Sequence, residues 1–196
     1  EIGSGLVGSE MCIRDRYRLF LAKVQDEFPD IEFMLGREIF FGEDIAELLQ
    51  ENVVSTLNDT DYALIEFHPT ATADYIAQSL YKVENAGYTP VLAHIERYPD
   101  LFKNIKMIEQ IIEGGAYIQV NASSVEGRLG GGVKRQIIKM MKKGLVHFVA
   151  TDAHSNRSRA PQLEECIRYI EKKLGSDYVK KLFIDNPEKM VHNEYI

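Results

Sequence analysis

The sequence predicts an α/β fold built on parallel strands, and three observations carry that prediction. Segments with helical periodicity alternate with short, nearly continuous apolar runs. Glycines follow three of the helical segments, at Gly87, Gly114-Gly115 and Gly144, where a chain leaving a helix needs a residue that tolerates positive φ. Metal-competent side chains stand at the ends of the apolar runs: Glu66 after YALI, His94 after TPVLA, Asp152 and His154 after LVHFVAT. In parallel α/β proteins the C-terminal ends of strands are where functional side chains project.

Taken in order, Tyr17 to Phe28 places Leu19, Phe20, Val24 and Phe28 on or near one helical face, and Pro29 ends the helix. Ile31 to Phe41 is the first strand expected. A short helix follows over Glu43 to Glu51, then a buried strand over Tyr62 to Phe67. Thr72 to Ala86 reads as a helix closed by Gly87. Thr89 to Ile95, Ala116 to Asn121 and Leu145 to Thr151 are three more buried strands, and two or three helices after Pro161 complete the chain. This gives five strands. A closed parallel barrel needs about seven or eight, so the sheet is expected to be incomplete at its N-terminal side.

A chain of 196 residues, 45% of them hydrophobic, can bury a core of its own and fits one domain. A formal charge of −7 argues against a general binder of nucleic acid or anionic membrane, which needs a basic surface. No apolar run is long enough to span a bilayer and no secretory signal pattern is present, so the expected compartment is the cytoplasm. Cys12 and Cys166 stand far apart in no metal-binding spacing, and both are expected to be reduced and non-catalytic. Residues 1–16 (EIGSGLVGSEMCIRDR) lack periodicity and resemble translated sequencing-adapter read-through. They are expected to be a non-native artefact or a disordered tail, leaving residues 17–196 as the single domain.

The chemistry lies in five residues. Glu38, late in the first strand, joins Glu66, His94, Asp152 and His154. Converging carboxylates repel one another unless cations lie between them, so a metal cluster is the economical explanation. Mixed carboxylate and imidazole donors suit manganese, iron or zinc better than calcium. Among other features, Gly130-Gly131-Gly132 lacks the lysine and hydroxyl of a phosphate loop, Asn121-Ala122-Ser123 fits a glycosylation sequon of no use to a cytosolic chain, His68 is a candidate for the substrate mouth, and His147 reads as structural.

The segments GREIFF, LIEF, AHIERYP, IQVNASS and HFVATDAHSNRSRAP resemble the tyrosine-phosphatase branch of the polymerase-and-histidinol-phosphatase (PHP) superfamily, the CpsB/CapC type of capsular and exopolysaccharide operons. The spacing agrees: Glu38 to Glu66 and Glu66 to His94 are both 28 residues. The resemblance implies a distorted parallel barrel of the (β/α)7 type, here lacking its first strands, with up to three metal ions, commonly Mn2+, in its C-terminal mouth. It makes Glu38, Glu66, His94, Asp152 and His154 metal ligands, and Arg97 and Arg159 phosphate-binding residues, with Arg157 a competitor of Arg159. It implies manganese-dependent hydrolysis of phosphotyrosine on the tail of a membrane-associated bacterial tyrosine autokinase, without a cysteine nucleophile. The family's early His-x-His pair has no counterpart in residues 1–16, so this polypeptide is expected to have little or no activity. The rival expectations are another PHP phosphoesterase, such as a histidinol-phosphate phosphatase, and a non-catalytic metal-binding interaction module.

Overall fold

The computed structural model describes residues 3–157 and 159–196, with side chains in the first helix from residue 11 onward. Five parallel strands lie in the order β1 (Glu38–Phe40), β2 (Tyr62–Glu66), β3 (Thr89–Leu92), β4 (Tyr117–Asn121) and β5 (Phe148–Ala150). Every neighbouring pair is parallel, with Glu38 opposite Leu64, Leu64 opposite Val91, and Asn121 opposite Ala150. This is the expected parallel sheet, and it positions the ends of all five strands along one rim.

Ten α-helices accompany the strands among the described residues: α1 (Gly3–Val24), α2 (Ile45–Gln50), α3 (Ala73–Asn85), α4 (Pro99–Phe102), α5 (Ile105–Glu113), α6 (Ala122–Glu126), α7 (Gly131–Lys142), α8 (Glu164–Leu174), α9 (Ser176–Lys180) and α10 (Asn186–Val191). Their sequence signals are local. Thr72 caps α3 by accepting from Tyr75 N at 3.3 Å, and Asn104 caps α5 by accepting from Met107 N at 3.1 Å. Gly87 follows α3 with φ +94°, a conformation that costs residues with a Cβ but not glycine.

The period of two along the strands divides the sheet into two faces. Ile39, Ala63, Ile65, Leu92, Ile118, Val120 and Val149 join the main core, which the helices complete with Ile76, Leu80, Ile108, Ile137 and Ile170. Removing such side chains from water contributes about 1.5–3 kcal/mol each. The opposite face is apolar lower down, where Tyr62, Val91 and Phe148 pack with Leu64, Tyr117, Met190 and Ile196. The C-terminal segment is tied to this face: Tyr62 Oη donates to Glu194 O at 2.5 Å, and Asn193 Oδ1 accepts from Asp61 N at 2.8 Å.

Several boundaries differ from the expected ones: the first helix begins at Gly3, ahead of Tyr17, and β3 and β5 are shorter, Thr89–Leu92 and Phe148–Ala150. The first helix ends at Val24 instead of Phe28, because the residue before Pro29 is disfavoured in helical geometry and the last turn unwinds ahead of it. Only Glu38–Phe40 of the expected strand over Ile31 to Phe41 joins the sheet. The preceding stretch is drawn instead to the loop before β2, where Leu35 O accepts from Asn58 N at 2.7 Å. Of the segment 1–16, residues 1 and 2 lie outside the described residues, and Gly3 onward is part of α1.

Candidate active site

The upper part of the second sheet face turns polar at the strand ends. Glu38 begins β1 and Glu66 ends β2, in register positions that place both on the face carrying Leu64. His94 follows β3, with φ 33° and ψ 58°, and Asp152 follows β5, with φ 51°. Left-handed backbone at a non-glycine residue costs of order 1–3 kcal/mol and concentrates at functional sites. Here it turns both side chains onto the rim.

His94 is 2% exposed. Its Nε2 lies 2.8 Å from Glu38 Oε1 and 3.4 Å from Glu66 Oε1, and one donor atom from each of the three residues lies within 4.8 Å of the others. Two carboxylate oxygens around an imidazole nitrogen fit a divalent transition-metal ion, so the donor set accommodates the expected metal. The other ring nitrogen, Nδ1, is 3.4 Å from Oη of the fully buried Tyr98, which itself accepts from Phe67 N at 3.0 Å. Burial first, then the nearby Glu66 and Glu38 charges, raise the Tyr98 hydroxyl well above its ordinary range. It therefore stays protonated, and with two lone pairs it can accept from Nδ1–H when Nε2 is given to a metal.

Asp152 is not part of this three-residue group. Its Oδ2 lies 2.5 Å from Arg97 Nη2 and 2.5 Å from Arg159 Nη2, and accepts from Asn121 Nδ2 at 2.9 Å. Arg97 connects the two halves, since its Nη1 is 3.6 Å from Glu66 Oε1 and 3.2 Å from His94 Nε2. His154 stands at the edge, its side chain 57% exposed and its Nδ1 2.9 Å from Asp152 O. The seven residues singled out in the sequence thus gather at one rim, with Glu38, Glu66 and His94 as one donor group and Asp152 held by the two arginines beside it.

The loop after β5 wraps around Ser155: His154 N donates to Arg159 O at 3.0 Å, and Ser155 Oγ accepts from Arg159 N at 3.1 Å and Arg157 N at 3.4 Å. Arg159 is turned to Asp152. Arg157 lines a cleft of about 200 Å³ together with Arg97, Arg128 and Arg159. On the other side of Asp152, a cavity of about 440 Å³ has a floor of Leu64, Val91, Phe148 and Met190 and a polar end of Glu38, His94, Asp152 and His154. His68 is turned to Thr70, with Nδ1 2.8 Å from its Oγ1, and takes no part in the group.

Sequence reasoning missed a supporting relay. Gln119 Oε1 accepts from His94 N at 2.5 Å, Gln119 Nε2 donates to Asn121 Oδ1 at 2.9 Å, and Asn121 N donates to Glu96 Oε1 at 2.9 Å. Gln119 and Asn121 are buried, so the sequon at Asn121 is covered in the folded chain. Burial raises the Glu96 carboxyl above the ordinary carboxylate range. The signal was available, because Asn121 ends β4 as Glu66 ends β2. Cys166 is buried in the core, where burial pushes its thiol up to about 12, an environment opposite to that of an activated nucleophile.

A parallel sheet whose rim combines a Glu/Glu/His donor group with two guanidiniums on a neighbouring carboxylate is an arrangement of the metal-dependent α/β hydrolase class. The chain belongs to the CpsB/CapC family of capsular polysaccharide synthesis, whose family model matches residues 9–192. It is 37% identical over 172 residues to tyrosine-protein phosphatase CpsB of Streptococcus pneumoniae, covering 85% of this chain and 71% of that protein. It is 30% identical over 173 residues to tyrosine-protein phosphatase YwqE of Bacillus subtilis, covering 88% of this chain and 67% of that protein. A crystal structure from a study of YwqE and pneumococcal CpsB, described as unique metal-dependent tyrosine phosphatases, superposes with a TM-score of 0.85 at 29% identity over 94% of this chain and 74% of that one. Among the described residues no helix is long and apolar enough to cross a membrane.

Proposed function

We propose that this chain is a cytoplasmic, manganese-dependent phosphotyrosine phosphatase whose substrate is the phosphorylated tail of a bacterial tyrosine autokinase in capsule or exopolysaccharide synthesis. The observation that carries the reading is the adjacency of the Glu38/Glu66/His94 donor group to the paired guanidiniums of Arg97 and Arg159. The relatives' names support the substrate class, and the five parallel strands are read as part of a barrel of the PHP type.

Glu38, Glu66 and His94 would hold a metal ion, with Asp152 and His154 on the adjoining rim as the further ligands. A bound divalent cation supplies charge neutralisation at the phosphoryl oxygens and an acidified water. The chain's own residues do the rest. Arg97 and Arg159 bind and orient the phosphoryl group through charge-assisted hydrogen bonds, releasing Asp152 as they do so. Tyr98 and Gln119 fix the His94 ring and backbone, so that the donor group is set before substrate arrives.

The test is phosphate release from a phosphotyrosine peptide and from histidinol phosphate, each with and without Mn2+. The expected result is slow release from the peptide that depends on the metal and falls to background in Glu66→Gln. The readout is a ratio, so it holds at a low absolute rate. Release from histidinol phosphate alone, or release indifferent to metal, would overturn the reading.

A further inference from the structure

The cleft beside Asp152 contains more positive charge than one phosphoryl group needs. Four arginines line it, Arg97, Arg128, Arg157 and Arg159, against the two carboxylates of Glu126 and Asp152. Arg97 and Arg159 meet at Asp152. Arg128 and Arg157 line it as well, from separate loops. Arg128 follows α6, in a turn fixed by its N–H donating to Ser123 O at 3.0 Å and by Gly127 at φ +101°. Its Nε is 3.4 Å from Glu126 Oε2, and the side chain remains 59% exposed. Arg157 projects from the Ser155-centred loop, and among the described residues no carboxylate meets its guanidinium.

We propose that Arg128 and Arg157 form a secondary anion subsite that receives a negatively charged group flanking the phosphotyrosine of a peptide substrate. The inference rests on the phosphatase reading for the inner half of the cleft and adds a determinant of which peptides enter it. Two further guanidiniums lining the same cleft suit the oxygens of a carboxylate or a phosphate, so the shared chemistry is an anion flanking the scissile phosphate. It also separates Arg157 from Arg159: Arg159 meets the phosphoryl group and Arg157 meets the flank.

The test is fluorescence anisotropy with the whole chain in Mn2+. The peptides carry a non-hydrolysable difluoromethylphosphonate analogue of phosphotyrosine with neutral flanks, glutamate flanks, or a second analogue as the flank, together with tyrosine versions of each. Two exposed charge pairs should make the glutamate-flanked peptide bind about three- to tenfold more tightly than the neutral one at low salt, and added salt should shrink that ratio. A larger ratio for the second analogue than for glutamate identifies phosphate as the preferred flank; the reverse order identifies a carboxylate. In Arg128→Ala/Arg157→Ala the ratio should fall to about one. In Arg157→Glu the preference should move to a lysine-flanked peptide, a gain that misfolding cannot mimic.

Equal affinity for neutral and anionic flanks in the unaltered chain, including no binding of either, overturns the subsite, as does a ratio undiminished in the double variant. The phosphatase reading fails separately, when the analogue binds no better than tyrosine. The flank ratio among the tyrosine peptides then decides the subsite by itself.

Discussion

Nη2 of Arg97 lies 2.5 Å from Oδ2 of Asp152, an oxygen that also meets Nη2 of Arg159 and accepts from Nδ2 of Asn121. Two expected phosphate ligands therefore share one expected metal ligand, and the carboxylate holds them where the substrate's oxygens would later take its place. Asp152→Asn keeps the side chain's shape and tolerates the φ of 51°, but removes the charge that two guanidiniums answer. The expected loss is about 1–3 kcal/mol of stability, read as a lower Tm in chelator. Metal-stimulated phosphate release should fall by about tenfold or more. An unchanged Tm with unchanged release would show that the pair neither holds the site together nor prepares it.

Glu38 and Glu66 both approach His94 Nε2, and neither is fully shielded from water. Glu66→Gln removes one donor charge while keeping the side-chain volume, so isothermal titration should show Mn2+ affinity reduced by about 10- to 100-fold. Without metal the same change relieves repulsion between two carboxylates, and the apo chain's Tm should stay level or rise. A variant that binds Mn2+ as the unaltered chain does would place the ion elsewhere.

Tyr98 works from behind the donor group. Its hydroxyl accepts from Phe67 N at 3.0 Å and lies 3.4 Å from His94 Nδ1. Tyr98→Phe leaves a buried backbone N–H without its acceptor, at a cost of about 1–3 kcal/mol, and frees the imidazole to rotate. The lower Tm should therefore come with Mn2+ affinity weakened by about tenfold. Lost stability with unaltered affinity would reduce Tyr98 to a packing residue.

The sheet was legible because its inner strands β2, β3 and β4 are largely buried and read as apolar runs, while Gly87, Gly115 and Gly144 mark the chain's turns into β3, β4 and β5. The site was legible because Glu66, His94 and Asp152 interrupt apolar patterning at strand ends. What periodicity could not convey is pairing between residues far apart in the chain. Ile31 to Gly36 has the apolar content of a strand, yet Leu35 bonds to Asn58 and not to the sheet. The position of Asn121 at the end of β4 was a signal, but Gln119 and Asn121 carry no charge, and their link from His94 to Asp152 takes shape when β3, β4 and β5 lie side by side.

His147 bridges β4 and the start of β5: its backbone N donates to Ile118 O at 2.9 Å and its Nδ1 accepts from Ile118 N at 3.1 Å, while its carbonyl accepts from Asn186 Nδ2 at 2.7 Å. Accepting at Nδ1 requires the neutral ring. Burial, with a smaller contribution from Lys181, lowers its pKa to about 4 from an ordinary 6.5. The unfolded chain therefore binds this proton more tightly than the folded one, and unfolding takes up a proton between those two values. The neutral ring's stabilisation is complete above pH 6.5 and is lost as pH falls toward 4, a change of roughly 3 kcal/mol. His147→Gln lacks the titrating ring, so although it starts less stable it should lose less further stability between pH 6.5 and 4. Chemical denaturation of both chains across that window measures the slope, and parallel slopes would mean that His147 does not set the acid limit.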